Sequence, residues 1–126
     1  MAELVIAVDF DGTCVTHEYP YMGSDIGAVP VLKELTDAGY RLILTTMRSG
    51  KTEKEAVKWF KDNDIPLWGV HKNPEQKSWT SSPKVYADLY IDDCALGVPL
   101  TTSASSTRPY VDWTRVREWL VAEGYL

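Results

Sequence analysis

The run Leu4-Val5-Ile6-Ala7-Val8-Asp9-Phe10-Asp11-Gly12-Thr13 decides how the rest of the chain is read. Its opening residues are apolar without a break, the pattern of a strand buried on both faces; a half-buried strand would alternate. The strand, Leu4 to Phe10, stops abruptly at two carboxylates and a glycine. Residues two apart in extended backbone point the same way, so Asp9 and Asp11 stand together at a strand end. Arg41 to Thr46 repeats the buried pattern. Between the two, Ala28, Val31, Leu32 and Leu35 recur at helical spacing, with Pro30 tolerable in the first turn and Gly39 suited to the stop.

Further along, Thr52 and Glu55 predict a capping box for a second helix with Ala56, Val57 and Phe60 on one face. Ile65 to Val70 reads as a third strand. Val85 to Ile91 contains a fourth, ending at Asp92-Asp93, and Val98 to Thr101 a short fifth. Asp112 caps a last helix whose Trp113, Val116 and Leu120 share a face. The Ser/Thr-rich stretch 101–107 reads as a surface loop without functional signal. Strand and helix in alternation predict an α/β fold: a three-layer, Rossmann-like parallel sheet with helices on both faces. In such sheets the ligand crevice lies at the carboxyl ends of the strands, where Asp9, Asp11, Thr46, Asp92 and Asp93 all fall.

At 126 residues the chain is expected to form one domain, residues 1–126. A hydrophobic share of 44% with 25% charged residues is an ordinary globular balance. No apolar run is long enough for a membrane span and no leader is evident, so a cytoplasmic protein with no membrane partner is expected. Cys14 and Cys94 form neither a CxxC nor a disulfide framework. The net charge of −5 disfavours a general nucleic-acid binder.

Four acids at one crevice need compensation. Two unit charges 4 Å apart repel by roughly 1 kcal/mol in water and about 4 at an effective dielectric of 20. A hard divalent cation with oxygen ligands, Mg²⁺ by default, resolves the conflict. A calcium loop fails on register, because Gly12 at the sixth loop position places Ala7 where the first Asp is needed.

Asp9-Phe10-Asp11-Gly12-Thr13 after a hydrophobic strand resembles the first motif of the haloacid dehalogenase superfamily of phosphohydrolases. Leu42-Ile43-Leu44-Thr45-Thr46 is similar to the second motif. Lys84 stands where the third places its lysine, and Leu89-Tyr90-Ile91-Asp92-Asp93 resembles the fourth. The likeness runs from about residue 4 to 97. It implies that Asp9 attacks phosphorus and becomes an aspartyl phosphate, and that Asp11 protonates the leaving oxygen and later activates water. Asp11 would then need surroundings that let it hold a proton. Thr46 would bind a phosphoryl oxygen, and Lys84 would neutralise the transferred group. Asp9, Asp92 and the main-chain carbonyl of Asp11 would hold Mg²⁺, with Asp93 a further ligand. Arg48, in the run Thr46-Met47-Arg48, would contact phosphate or leaving group.

Family members often carry a cap domain, for which this chain has no room. Neither the stretch after Thr13 nor the thirteen residues His71 to Pro83 approaches an independent domain of roughly 50 residues. A capless site is expected, open to a large substrate or covered by a neighbour in a homo-oligomer. The 71–83 loop would serve as partial lid or contact, and Trp79 within it as a substrate or interface residue. Trp59 and Trp119 read as helix packing, Trp68 as strand-associated core. Cys14 and Cys94 read as small buried residues, and His17 and His71 receive no role. Lys51, Lys54, Lys58 and Lys61 form one stripe on the second helix, the only feature pointing to a nucleic-acid end as substrate. The expected activity is thus a Mg²⁺-dependent phosphomonoester phosphatase acting on a phosphorylated small molecule or nucleotide. The alternatives are a polynucleotide-end phosphatase and a non-catalytic phospholigand-binding module on the same fold.

Overall fold

The computed structural model describes residues 4–104 and 106–126. Four strands, β1 (Val5–Val8), β2 (Arg41–Leu44), β3 (Gly69–Val70) and β4 (Leu89–Ile91), form a parallel sheet in the order β3-β2-β1-β4. The interior position of β1 explains its sequence: all four residues are buried, and neither face has room for a polar side chain.

Two helices, α1 (Ala28–Asp37) and α2 (Gly50–Asp62), link β1 to β2 and β2 to β3. Both steps move the same way across the sheet, so right-handed crossovers lay both helices on one face. Ile6, Val8, Leu42 and Leu44 point into this layer. They share a core with Leu32 and Leu35 of α1, Phe60 of α2, and Trp113 and Leu120 of a last helix, α3 (Trp113–Ala122). Arg117 of α3 grips Glu34 of α1 with two hydrogen bonds of 2.7 Å.

The return from β3 to β4 crosses the opposite face without an α-helix. Residues 71–88 hold only a 3-10 turn at Gln76–Ser78, and they cover Val5, Ala7 and Ile43 with Ala87 and Val85. The sheet therefore has one helical layer and one coil layer, which corrects the expectation of helices on both faces. Pro74, Pro83 and the Ser/Thr residues between them give this crossing no helical run. Buried Gln76 supplies the missing order. Its amide donates to the carbonyls of Ser82 (3.3 Å) and Lys84 (2.6 Å), and its side-chain carbonyl accepts from the Tyr86 N–H (2.8 Å).

Several boundaries also move. Asp25 accepts from the N–H groups of Gly27, Ala28 and Val29 and so caps α1, while Gly39 ends it at φ +98. Helix α2 begins at Gly50, ahead of the expected capping box. Thr52 Oγ1 instead donates to the Ser49 carbonyl, and Glu55 turns towards Arg48. Only the last two residues of the Ile65–Val70 stretch pair in the sheet; Pro66 has no N–H to give a ladder. In place of a lone fifth strand and a loop, β5 (Leu100–Ser103) and β6 (Ser106–Val111) form an antiparallel hairpin. Ser105, within the stretch read as a loop, lies outside the described residues. Asp112 caps α3 as expected, accepting from the Arg115 N–H. Among the described residues no helix is long and apolar enough to cross a membrane.

Candidate active site

The parallel ladder continues one residue past the strands. Asp9 N–H donates to the Ile91 carbonyl (3.0 Å) and Thr45 N–H to that of Val8 (2.9 Å). This brings the ends of β1, β2 and β4 level, and their side chains share one crevice of about 590 Å³. Asp9, Asp11, Thr46, Arg48, Asp92 and Asp93 all line it. Thr45 turns back on Val8, whereas Thr46 faces the crevice. Thr46 Oγ1 accepts from the Arg48 N–H at 3.0 Å, which leaves the hydroxyl proton free to donate outward.

Thr13, fully buried, ties the acids together. Its hydroxyl lies 3.0 Å from Asp9 Oδ2 and 3.4 Å from Asp93 Oδ1, and accepts from the Asp93 N–H at 3.0 Å. Gly12 makes the turn behind Asp9 at φ +79; a Cβ there would collide with His17 and crowd the Asp93 carboxylate. The same loop is held from the far end of the chain. Val111 N–H donates to the Gly12 carbonyl at 2.9 Å, and Trp113 Nε1 to the Thr13 carbonyl at 2.6 Å.

Arg48 is the more buried of the two arginines at the crevice. Its side chain is 1% exposed, and its Nε and Nη2 each bind Asp11 at 2.8 Å. Nη2 also donates to the Tyr21 carbonyl (2.7 Å), and the guanidinium lies 5.1 Å from the Phe10 ring centroid and 5.3 Å from that of Tyr19. Asp11 in turn holds the Arg48 proton more firmly than usual. The guanidinium thus grips both Asp11 oxygens in a bidentate pair.

Burial, joined by a hydrogen bond to Asp93 and the charge of Asp92, raises the Asp9 carboxyl to about 8 despite the Phe10 N–H it accepts from. Asp9, Asp92 and Asp93 are hard oxygen donors, and among the described residues no lysine lines the crevice with them. This donor set fits a divalent cation of the Mg²⁺ type. Asp92, Asp93 and Cys94 also lie close enough to share an ion, although Cys94 Sγ is a soft donor.

Lys84 stands apart from this group. It is exposed, its ammonium sits 5.5 Å over the Tyr90 ring, and it does not line the crevice. The coil crossing carries it along the opposite face and delivers Tyr86 and Asp88 to the amino-terminal end of the strands, beside Leu4 and Arg41. Trp79 goes with them, edge-on to Tyr86 at 5.7 Å, so it cannot act as a lid over the acids. Trp119 stacks on Tyr125 but remains 47% exposed. Cys14 is buried, as expected, and donates to the Asp9 carbonyl; Cys94 is exposed at the crevice, where the charge of Asp93 pushes its thiol up.

Several crevice residues, Met47 among them, escape the sequence reading. His17 Nε2 lies 3.1 Å from Asp93 Oδ2. Tyr19 forms part of the wall, and Arg108 arrives from β6. Only the Asp9-to-Gly12 turn hints at His17, five residues on. Nothing in a Ser/Thr-rich stretch signals that a neighbouring arginine reaches the site.

No family model and no curated protein matches the chain. Among solved structures it is similar to a conserved protein coded by a locus from Bacteroides thetaiotaomicron. The identity is 35%, the match covers 96% of this chain and 91% of that one, and the TM-score is 0.77. The two belong to one family. Its shared property is the fold over nearly the whole chain; the chemistry rests on the crevice described above.

Proposed function

We propose that the chain is a Mg²⁺-dependent phosphomonoester phosphatase of the haloacid dehalogenase type, acting through Asp9. The observation behind this is the convergence of Asp9, Asp11, Thr46, Asp92 and Asp93 from three strand ends on one crevice. An oxygen of Asp9 attacks phosphorus as the ester P–O bond breaks, and the leaving oxygen takes a proton from Asp11. Water then attacks the same phosphorus and gives its proton to Asp11. The bond to Asp9 breaks and inorganic phosphate leaves. Thr46 donates its hydroxyl proton to a phosphoryl oxygen. Asp9, Asp92, Asp93 and the main-chain carbonyl of Asp11 would hold Mg²⁺, which supplies charge neutralisation for the transferred group.

The neutralising role expected of Lys84 falls to Arg108. Of the two arginines at the crevice, Arg48 is engaged by Asp11, and no described residue forms an ion pair with Arg108. The acid step requires Arg48 to release one Asp11 oxygen. The same pair favours a second reading, a phospholigand-binding module without turnover, since a binder can leave Asp11 permanently engaged. Phosphate release from a broad monoester panel with Mg²⁺ separates the two. Activity lost in Asp9→Asn supports the enzyme; tight phosphate binding with no release from any ester selects the binder.

A further inference from the structure

Two of the crevice-lining residues are apolar side chains left open to solvent: Met47 is 97% exposed and Tyr19 59%. Core packing does not explain either. Tyr19 is nevertheless held in place. The buried Arg48 guanidinium lies against its ring, and the same guanidinium fixes the adjoining backbone through the Tyr21 carbonyl. Among the described residues no other ring packs on Tyr19, so it presents a braced aromatic surface beside the nucleophile. A fixed ring loses little freedom when a ligand stacks on it.

The charge at the mouth narrows the ligand further. A polynucleotide needs a row of cations to follow its phosphates. None of Lys51, Lys54, Lys58 and Lys61 lines the crevice, and Lys58 is paired with Asp62 at 2.6 Å. Arg108 is the one arginine there outside the Asp11 pair. One available cation, one braced ring and one exposed thioether match a single phosphate joined to a flat ring system. The volume of about 590 Å³ lies in the range of small-molecule sites.

We propose that the crevice takes phosphomonoesters whose leaving group carries a planar aromatic system of nucleobase size, stacked on Tyr19 and in contact with Met47. The inference rests on the phosphatase reading and names its substrate class. The experiment compares kcat/KM with Mg²⁺ for adenosine 5′-monophosphate, glucose 6-phosphate and a 5′-phosphorylated oligonucleotide. The nucleotide should exceed the sugar phosphate about tenfold, a modest yield for a base stacked on an aromatic side chain. Tyr19→Ala should bring that ratio close to one, and Tyr19→Phe should preserve it. Equal rates on nucleotide and sugar phosphate, or a ratio that survives Tyr19→Ala, overturns the inference. Preference for the oligonucleotide overturns it in favour of a polynucleotide end. If no ester turns over, the phosphatase reading fails. Calorimetric binding of the same two small phosphates then decides the inference, and equal Kd values sink it.

Discussion

Two stretches that leave the carboxyl edge of the sheet were each expected to bring a cation to the phosphate. The one after β2 brings its cation into the crevice: Arg48 is buried, bidentate on Asp11 and packed against two rings. The one after β3 does not, and Lys84 ends on Tyr90 in solvent. A residue a few positions past a strand end inherits its place from the sheet, because the ladder fixes where the backbone leaves. A residue at the end of a long coil crossing goes where that coil finds partners. Here the partners are Gln76 and the strand starts, on the far side from the acids.

The contrast can be broken or sharpened by substitution. The largest effect should come from the shared reacting centre: Asp9→Asn should lower phosphate release about 10³-fold or more in a malachite-green assay with Mg²⁺. Next, Arg108→Ala should reduce kcat/KM at least about tenfold while Lys84→Ala changes it less than about threefold. The reverse ranking would return the coil crossing to the site and undo the comparison. Gln76→Ala should destabilise the fold by about 1–3 kcal/mol in urea, because three backbone groups lose their partner. Its kcat/KM should stay near wild type, marking the crossing as structural.

The last effect is a pH dependence. Burial holds Asp9 at about 8 against an ordinary 3.8. Between those values the folded chain keeps a proton that the unfolded chain has released, so stability falls as pH rises through that window. In chelator, Asp9→Asn should raise Tm by about 10 °C or more at pH 8 and hardly at all at pH 4. An equal shift at both values would mean that the acid floor is not the source of the strain.

What the sequence made legible follows the same division. The uninterrupted apolar runs of β1 and β2 and the residues just beyond them, Asp9, Asp11 and Thr46, were readable because period and strand end alone place them. The caps at Gly39 and Asp112 were readable for the same local reason. Lys84 was misplaced because its position depends on a crossing whose order comes from one glutamine side chain. The single-sided helical layer was hidden because a strand buried by helix and one buried by coil carry the same apolar residues. Arg108 was hidden because pairing of β5 with β6 is set by tertiary contacts, not by the polar composition of the hairpin.

The hydrogen bonds from Val111 and Trp113 to the Gly12 and Thr13 carbonyls have a consequence in time. The Asp9-to-Thr13 loop is made well before its last two restraints, which arrive about a hundred positions later. A ribosome adding on the order of 5–20 residues per second leaves those carbonyls unclaimed for several seconds. Until then the turn behind Asp9 lacks its final anchor. Completion of the crevice thus waits on residues far along the chain, and a ribosome stalled before Val111 would hold the Gly12 and Thr13 carbonyls without these partners.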